Sequence, residues 1–141
     1  MVGEEMIRSV EIQSPQNPRI KDLVRLKEGR HRRRTGLFVV EGLRELERAV
    51  ASDAFIQELY FCDAFWSDPA CLDLCARVAV QPWVETFRVS KAAFAKVSNR
   101  ENPDGILAVA KMKLGGLEDL KLGPSPLLLL MEHVEKPGNL G

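Results

Sequence analysis

The sequence predicts an α/β fold in which a central, mostly four-stranded sheet is covered by helices on both faces, an α/β/α sandwich. Three observations carry this. Short apolar runs of strand length, bounded by glycine or polar residues, recur along the chain; stretches with apolar residues at helical spacing lie between them; and the two kinds of segment alternate from residue 18 to residue 112. The chain has 141 residues, the size of one ordinary domain. Its 45% hydrophobic and 28% charged residues are the balance of a soluble globular protein rather than a disordered or membrane chain.

The first dozen residues show no clear period and read as a loose or edge-pairing extension. In "SPQNPRIKDLVRLKEGR", Asn17 and Pro18 stand as cap and first-turn residue, and Ile20, Leu23 and Val24 form an apolar stripe. A helix over residues 18–28 is predicted. Its polar face carries Lys21 and Arg25, and Arg32 as well if the helix persists, while Gly29 ends or loosens it before "RHRRRTG". "LFVVEG" reads as a buried central strand and "LRELERAVAS" as a helix with Leu43, Leu46 and Val50 on one stripe. "IQELYFC" is a second strand, and "DPACLDLCARV" a helix with Pro69 near its first turn. "WVETFRVS" is a third strand that passes through the cap residue Ser90 into the helix "KAAFAKVS". After the polar loop "NRENPDG" comes a fourth strand, "ILAVAKM". The segment 113–126 is rich in glycine and proline, the composition of a linker, and "LLLLMEH" then opens a further strand. The predicted organisation is a domain over residues 1–112, a linker over 113–126 and the beginning of a second domain over 127–141.

The net charge is zero, but it is unevenly spread. Residues 19–34 hold eight Arg or Lys against two acids, a local +6 that leaves −6 on the other 125 residues. A basic block on a mildly acidic body directs a polyanion to one place. Arginine presents a planar donor fork to phosphate oxygens, which makes Arg19, Lys21, Arg30, Arg32, Arg33 and Arg34 candidate phosphate contacts. The plainer alternative is a solvated helix face followed by a charged loop. The block contains no aromatic residue, so it offers no surface on which bases stack, and recognition of backbone and shape is the expected mode.

Other chemistry is thinly represented. Cys71 and Cys75 share a helix face, but neither a histidine nor a third cysteine lies near them in sequence; small buried thiols in a reducing, cytoplasmic setting are expected, and no metal. His31 and His133 stand far apart, without a nucleophile partner. The longest apolar run is far short of the ~20 residues of a membrane span, and the N-terminus is acidic where a signal peptide is cationic. The final "EKPGNLG" places glycines after a predicted strand, where open α/β sheets place ligand sites; it matches neither GxxxxGK[ST] nor GxGxxG, and a plain turn explains it as well.

Taken together, "NPRIKDLVRLKEGRHRRRTGLFVVEGLRELERA", "NPDGILAVAKM" and "LLLLMEHVEKPGNLG" resemble the SpoU/TrmH family of RNA 2′-O-ribose methyltransferases over nearly the whole chain. Residues 17–21 match the family's opening helix signature, residues 38–42 its F-x-x-E-G strand end, and residues 105–108 its G-I-x-A. Residues 135–141 match the start of the motif N-x-G-x-x-x-R, with Asn139 and Gly141 in the leading places and its arginine four positions beyond Gly141. The resemblance implies a small RNA-binding domain, similar in fold to ribosomal proteins that grip kink-turn RNA. It implies a knotted SPOUT-type domain after it that binds S-adenosylmethionine, with Asn139 as a catalytic-site residue.

On this view the parent protein is an S-adenosylmethionine-dependent RNA 2′-O-methyltransferase and a homodimer. The 141 residues themselves would be its monomeric, inactive module for RNA, presumed ribosomal, without a cofactor of their own. The alternatives are a stand-alone kink-turn-type RNA-binding protein and a protein-interaction domain whose basic block meets an acidic partner. Asp104 departs from the pattern, because an acid in a loop that faced RNA would weaken binding.

Overall fold

The computed structural model describes residues 7–113, 115–130 and 132. Its elements run β1 (Val10–Ile12), α1 (Pro18–Arg25), α2 (Gly29–Thr35), β2 (Leu37–Glu41), α3 (Leu43–Ala51), β3 (Ile56–Phe61), α4 (Ala70–Ala79), β4 (Glu85–Val89), α5 (Lys91–Val97) and β5 (Ile106–Lys111). The strands form one mixed sheet in the order β1-β4-β3-β5-β2. β1, β4 and β3 are mutually parallel, and β5 runs antiparallel to both β3 and β2.

Period-two alternation sorts the strand side chains to two cores. Leu59, Phe61, Ile106 and Ala108 face α3 and α4, where they meet Leu46, Leu74 and Val78. Tyr60, Phe87, Leu107 and Val109 face α1 and α5, where they meet Ile20, Leu23, Phe94 and Val97. Both faces are therefore covered, which explains why the central strand β5 reads as the unbroken apolar run "ILAVA" and is buried along all of it. The α/β/α sandwich agrees with the sequence expectation.

Two local expectations are corrected. The sheet has a fifth strand: β1 pairs with β4, Ser90 N–H donates to Ile12 C=O at 3.0 Å, and Ile12 is buried among α1 and α5. Three residues are too few to display a period, so only the edge-pairing option had pointed to it. The first helix also does not run to residue 28. Asn17 caps it as expected, its Oδ1 accepting from Arg19 N–H at 2.9 Å, but Leu26 closes it with N–H contacts to both Asp22 and Leu23 C=O. Glu28 is then extended (φ −84°, ψ 124°), and Gly29 starts a second helix rather than a loop.

Gly42 and Gly105, the glycines of two of the quoted motifs, are required by backbone geometry. Gly42 has φ 108°, and a Cβ there would lie 2.5 Å from Arg100 Nη1; Gly105 has φ 70°, and a Cβ there would strike the Cys62 carbonyl oxygen. Within 113–126, a short 3-10 turn at Leu117–Asp119 is the regular element among the described residues. Residues 127–130, expected to begin a strand, have no regular structure and are exposed, Leu127 and Leu130 almost wholly (98% and 97%). The rest of the predicted strand and loop, other than Glu132, and with it Asn139, lies outside the described residues.

Candidate nucleic-acid interface

The basic block folds into α1 and α2 and the turn that joins them, but its eight cations do not share one role. Arg19 is a latch. Its guanidinium donates to Glu58 Oε1 at 3.1 Å on β3 and to Glu85 Oε2 at 2.6 Å at the start of β4, and it lies 4.3 Å over the Phe87 ring. Tyr60 completes the cluster by donating its O–H to Glu58 Oε2 at 2.8 Å; burial, then the Glu58 charge, pushes its phenol far above the usual range. Arg32 is a clasp. Its Nη1 donates to the carbonyls of Leu26 (2.9 Å) and Lys27 (2.7 Å), so it fills acceptors that the end of α1 leaves open and ties α2 to α1. Since α1 ends at Arg25, Arg32 does not continue the Lys21–Arg25 face.

The remaining cations are exposed. Arg25 pairs with Asp22 at 3.2 Å, and Lys27 Nζ reaches Ser98 C=O at 3.5 Å. Arg34 Nη2 lies 3.0 Å from His31 Nδ1; arginine can only donate, so that nitrogen accepts and the ring proton sits on Nε2. Lys21, Arg30 and Arg33 are exposed and have no protein partner among the described residues. Arg30, Arg33 and Arg34 stand three and four apart on α2, so they form one face, and like charges at that spacing repel. This helix buries none of its side chains; its place depends on the Arg32 clasp and on Met112 N–H, which donates to Gly36 C=O at 2.7 Å. An anion on its outer face would relieve the repulsion.

Between α1, α2 and the sheet lies a cleft of ≈ 380 Å³. Leu23, Leu26, Leu37 and Val109 contribute its apolar lining, and Arg25, Arg34 and His31 are among its polar groups. The opposite end of the sheet is built differently. Glu41 accepts from Ser98 Oγ and from Asn99 N–H (3.0 Å), while Asp104 Oδ2 accepts from Leu43 N–H at 3.1 Å and from Arg100 at 3.0 Å. Asp104, out of place by motif, thus caps α3 from 61 residues away. Arg100 Nη2 also lies 2.9 Å from Glu45 Oε2, a charge contact outside hydrogen-bonding alignment.

Sequence reasoning missed one feature. Phe55 and Trp83, each just outside a strand, stack with ring centroids 6.1 Å apart while 43% and 53% exposed. "WVETFRVS" had placed Trp83 inside β4; the strand begins at Glu85. The only available signal was an aromatic residue next to a turn proline, Pro82.

Cys62, Cys71 and Cys75 are buried free thiols; burial raises all three, Cys75 to about 12. Among the described residues no cluster fits a metal ion, and no helix is long and apolar enough to cross a membrane.

Comparison with known proteins gives this geometry its context. The family model described as "MRM3-like substrate binding domain" matches residues 17–108, from the cap of α1 into β5. The chain is 28% identical over 133 residues to the 23S rRNA (guanosine(2553)-2′-O)-methyltransferase RlmP of Bacillus subtilis, covering 93% of this chain and 47% of that protein. A crystal structure of an RNA 2′-O ribose methyltransferase superposes with a TM-score of 0.70 and 34% identity, over 93% of this chain and 48% of the other. The AdoMet-bound rRNA methyltransferase of Sinorhizobium meliloti, at 22% identity, shares the fold with a TM-score of 0.66 over 79% and 40% of the two chains. The chain thus spans about half the length of the relatives it matches. With the model covering both helices of the basic block and nearly the whole sheet, the chain belongs to the MRM3-like substrate-binding domain family of the SpoU/TrmH RNA 2′-O-methyltransferases.

Proposed function

We propose that this chain is the RNA-docking part of an S-adenosylmethionine-dependent rRNA 2′-O-ribose methyltransferase, and that it grips RNA phosphates with the outer face of α2 and the adjoining side of α1. One observation carries this: Lys21, Arg30 and Arg33 are exposed and unpaired among the described residues, on a chain whose net charge is zero. Arg34 joins them by trading its His31 contact for a phosphate. Arg19 and Arg32 support this face from behind, since their forks are already filled by protein acceptors. The rRNA activity in the names of the relatives suits such a face.

S-adenosylmethionine belongs in this proposal to the longer protein. It carries a sulfonium cation, and the two acids that line the cleft beside α1 and α2, Asp22 and Glu58, are already engaged by Arg25 and Arg19, so these residues do not fit it. Methyl transfer to a ribose hydroxyl is assigned to the part of the protein beyond the described sheet. The role here is to hold the RNA.

The test is direct. In fluorescence anisotropy with a labelled rRNA stem-loop, Arg30→Ala with Arg33→Ala should weaken binding about tenfold or more and lower the slope of log affinity against log salt by roughly one to two. An unchanged affinity and slope would refute the docking face.

A further inference from the structure

We infer that Phe55 and Trp83 form a stacking platform for an unpaired nucleotide of the same RNA whose backbone lies on α2, an inference that rests on the RNA-docking reading above. The sheet topology makes the connection. At this end of the sheet β4 and β3 begin, β5 ends and β2 begins, in the order in which the four strands lie side by side. The residues at those ends are Trp83, Phe55, Lys111 and Gly36, and Gly36 directly follows α2. The contacts are continuous. Trp83 stacks on Phe55, Lys111 N–H donates to Phe55 C=O at 2.9 Å, and Met112 N–H donates to Gly36 C=O at 2.7 Å. Two interstrand steps separate Phe55 from the start of β2, beside α2, and three separate Trp83 from it, roughly 10 and 14 Å, within the reach of a few nucleotides of single strand.

The chemistry of this end suits a base rather than an apolar protein surface. The two rings are nearly parallel (16°), and Lys111 Nζ sits 4.7 Å over the Phe55 ring, a cation in place for a phosphate beside a stacked base. The Trp83 indole N–H has no acceptor among the described residues, so a donor is free at the platform edge. A groove of ≈ 380 Å³ adjoins the rings, lined by Val50, Val78 and Arg77 as well as by Phe55 and Trp83, with Asp53 as its acid. The basic block lacks aromatic residues, and these two supply from elsewhere in the chain the stacking surface that recognition of looped RNA uses.

The chain has two tryptophans, and Trp66 packs on Phe61 at 5.4 Å; Trp66→Phe therefore leaves Trp83 as the sole tryptophan, to be excited selectively over Tyr60. Titration of that variant with a single-stranded oligoadenylate should quench Trp83 emission, and a blunt RNA duplex of equal length should quench it far less. Trp83→Ala should weaken binding of a labelled stem-loop about tenfold, with Trp83→Phe restoring most of the loss. Circular dichroism of both variants checks the fold. If the chain binds RNA but Trp83 emission is unmoved and Trp83→Ala binds as before, the platform is overturned while the α2 docking face stands. If the unsubstituted chain binds no RNA, both readings fall. An emission shift that depends on protein concentration and not on RNA marks the rings as a protein contact, and that too overturns the platform.

Discussion

The ion pair between Asp63 and Arg88 shows what single residues decide in this fold. Arg88, on β4, donates through Nη2 to Asp63 Oδ2 at 2.6 Å and through Nε to Oδ1 at 3.2 Å, just after the end of β3. That hydrogen bond first, and then the positive charge, outweighs burial and holds the Asp63 carboxyl below its ordinary value. A depressed carboxylate contributes stability that is present above the unfolded value of about 4 and is lost as pH falls through the lower folded value. Asp63→Asn should therefore be less stable than the parent at pH 7 and approach it at about pH 3, by urea denaturation at both. A gap of constant size would mean that the pair contributes nothing through its charge. Residues of this kind are only half legible in a sequence. Gly42 and Gly105 stood out because motifs contained them, and the positive φ of each accounts for the choice of glycine. The partners of Asp104 and Arg19 did not, because a charged side chain can be recognised by type while its partner lies 39 to 66 residues away.

At the level of elements, the central strands and α3, α4 and α5 were legible because each has an apolar period or a cap that local chemistry enforces: Ser90 Oγ does accept from Ala93 N–H at 3.2 Å. α2 was not legible. It buries no side chain and carries four arginines, so neither periodicity nor propensity identified it, and tertiary clasps hold it in place. The consequence is a separation between binding and stability within one arginine run. Arg32→Ala should lower unfolding free energy by about 1–2 kcal/mol, because it leaves the Leu26 and Lys27 carbonyls without their charged donor. Arg30→Ala with Arg33→Ala should stay within about 0.5 kcal/mol of the parent, as exposed positions without partners do. Guanidinium denaturation of the two variants measures the difference, and equal losses would contradict the division of roles. For the same reason a triple change of Arg32, Arg33 and Arg34 would mix a fold defect with a binding defect.

Over the whole molecule, burial gives way to exposure near residue 113. Before it, Ile106, Leu107, Ala108, Val109 and Ala110 of β5 are 0–1% exposed, and the strand is hydrogen-bonded to neighbours on both sides. After it, residues 115–130 are exposed throughout. The leucine run at 127–130 has the composition of a strand, but a strand exists only where another offers its edge, and among the described residues none pairs with this run. The sequence could state its preference and not its partner. Local stability follows contact with the two cores, so opening free energies should fall from the global value in β5 to near zero across the exposed residues 115–130. In hydrogen exchange, amides of residues 106–110 should be the slowest of the chain, and those of residues 115–130 should exchange within the first labelling time. Addition of a bound rRNA stem-loop should then slow the amides of α2, which packs few side chains of its own, more than those of β5, which are already protected. Protection that appeared in β5 and not in α2 would place the RNA on some other face.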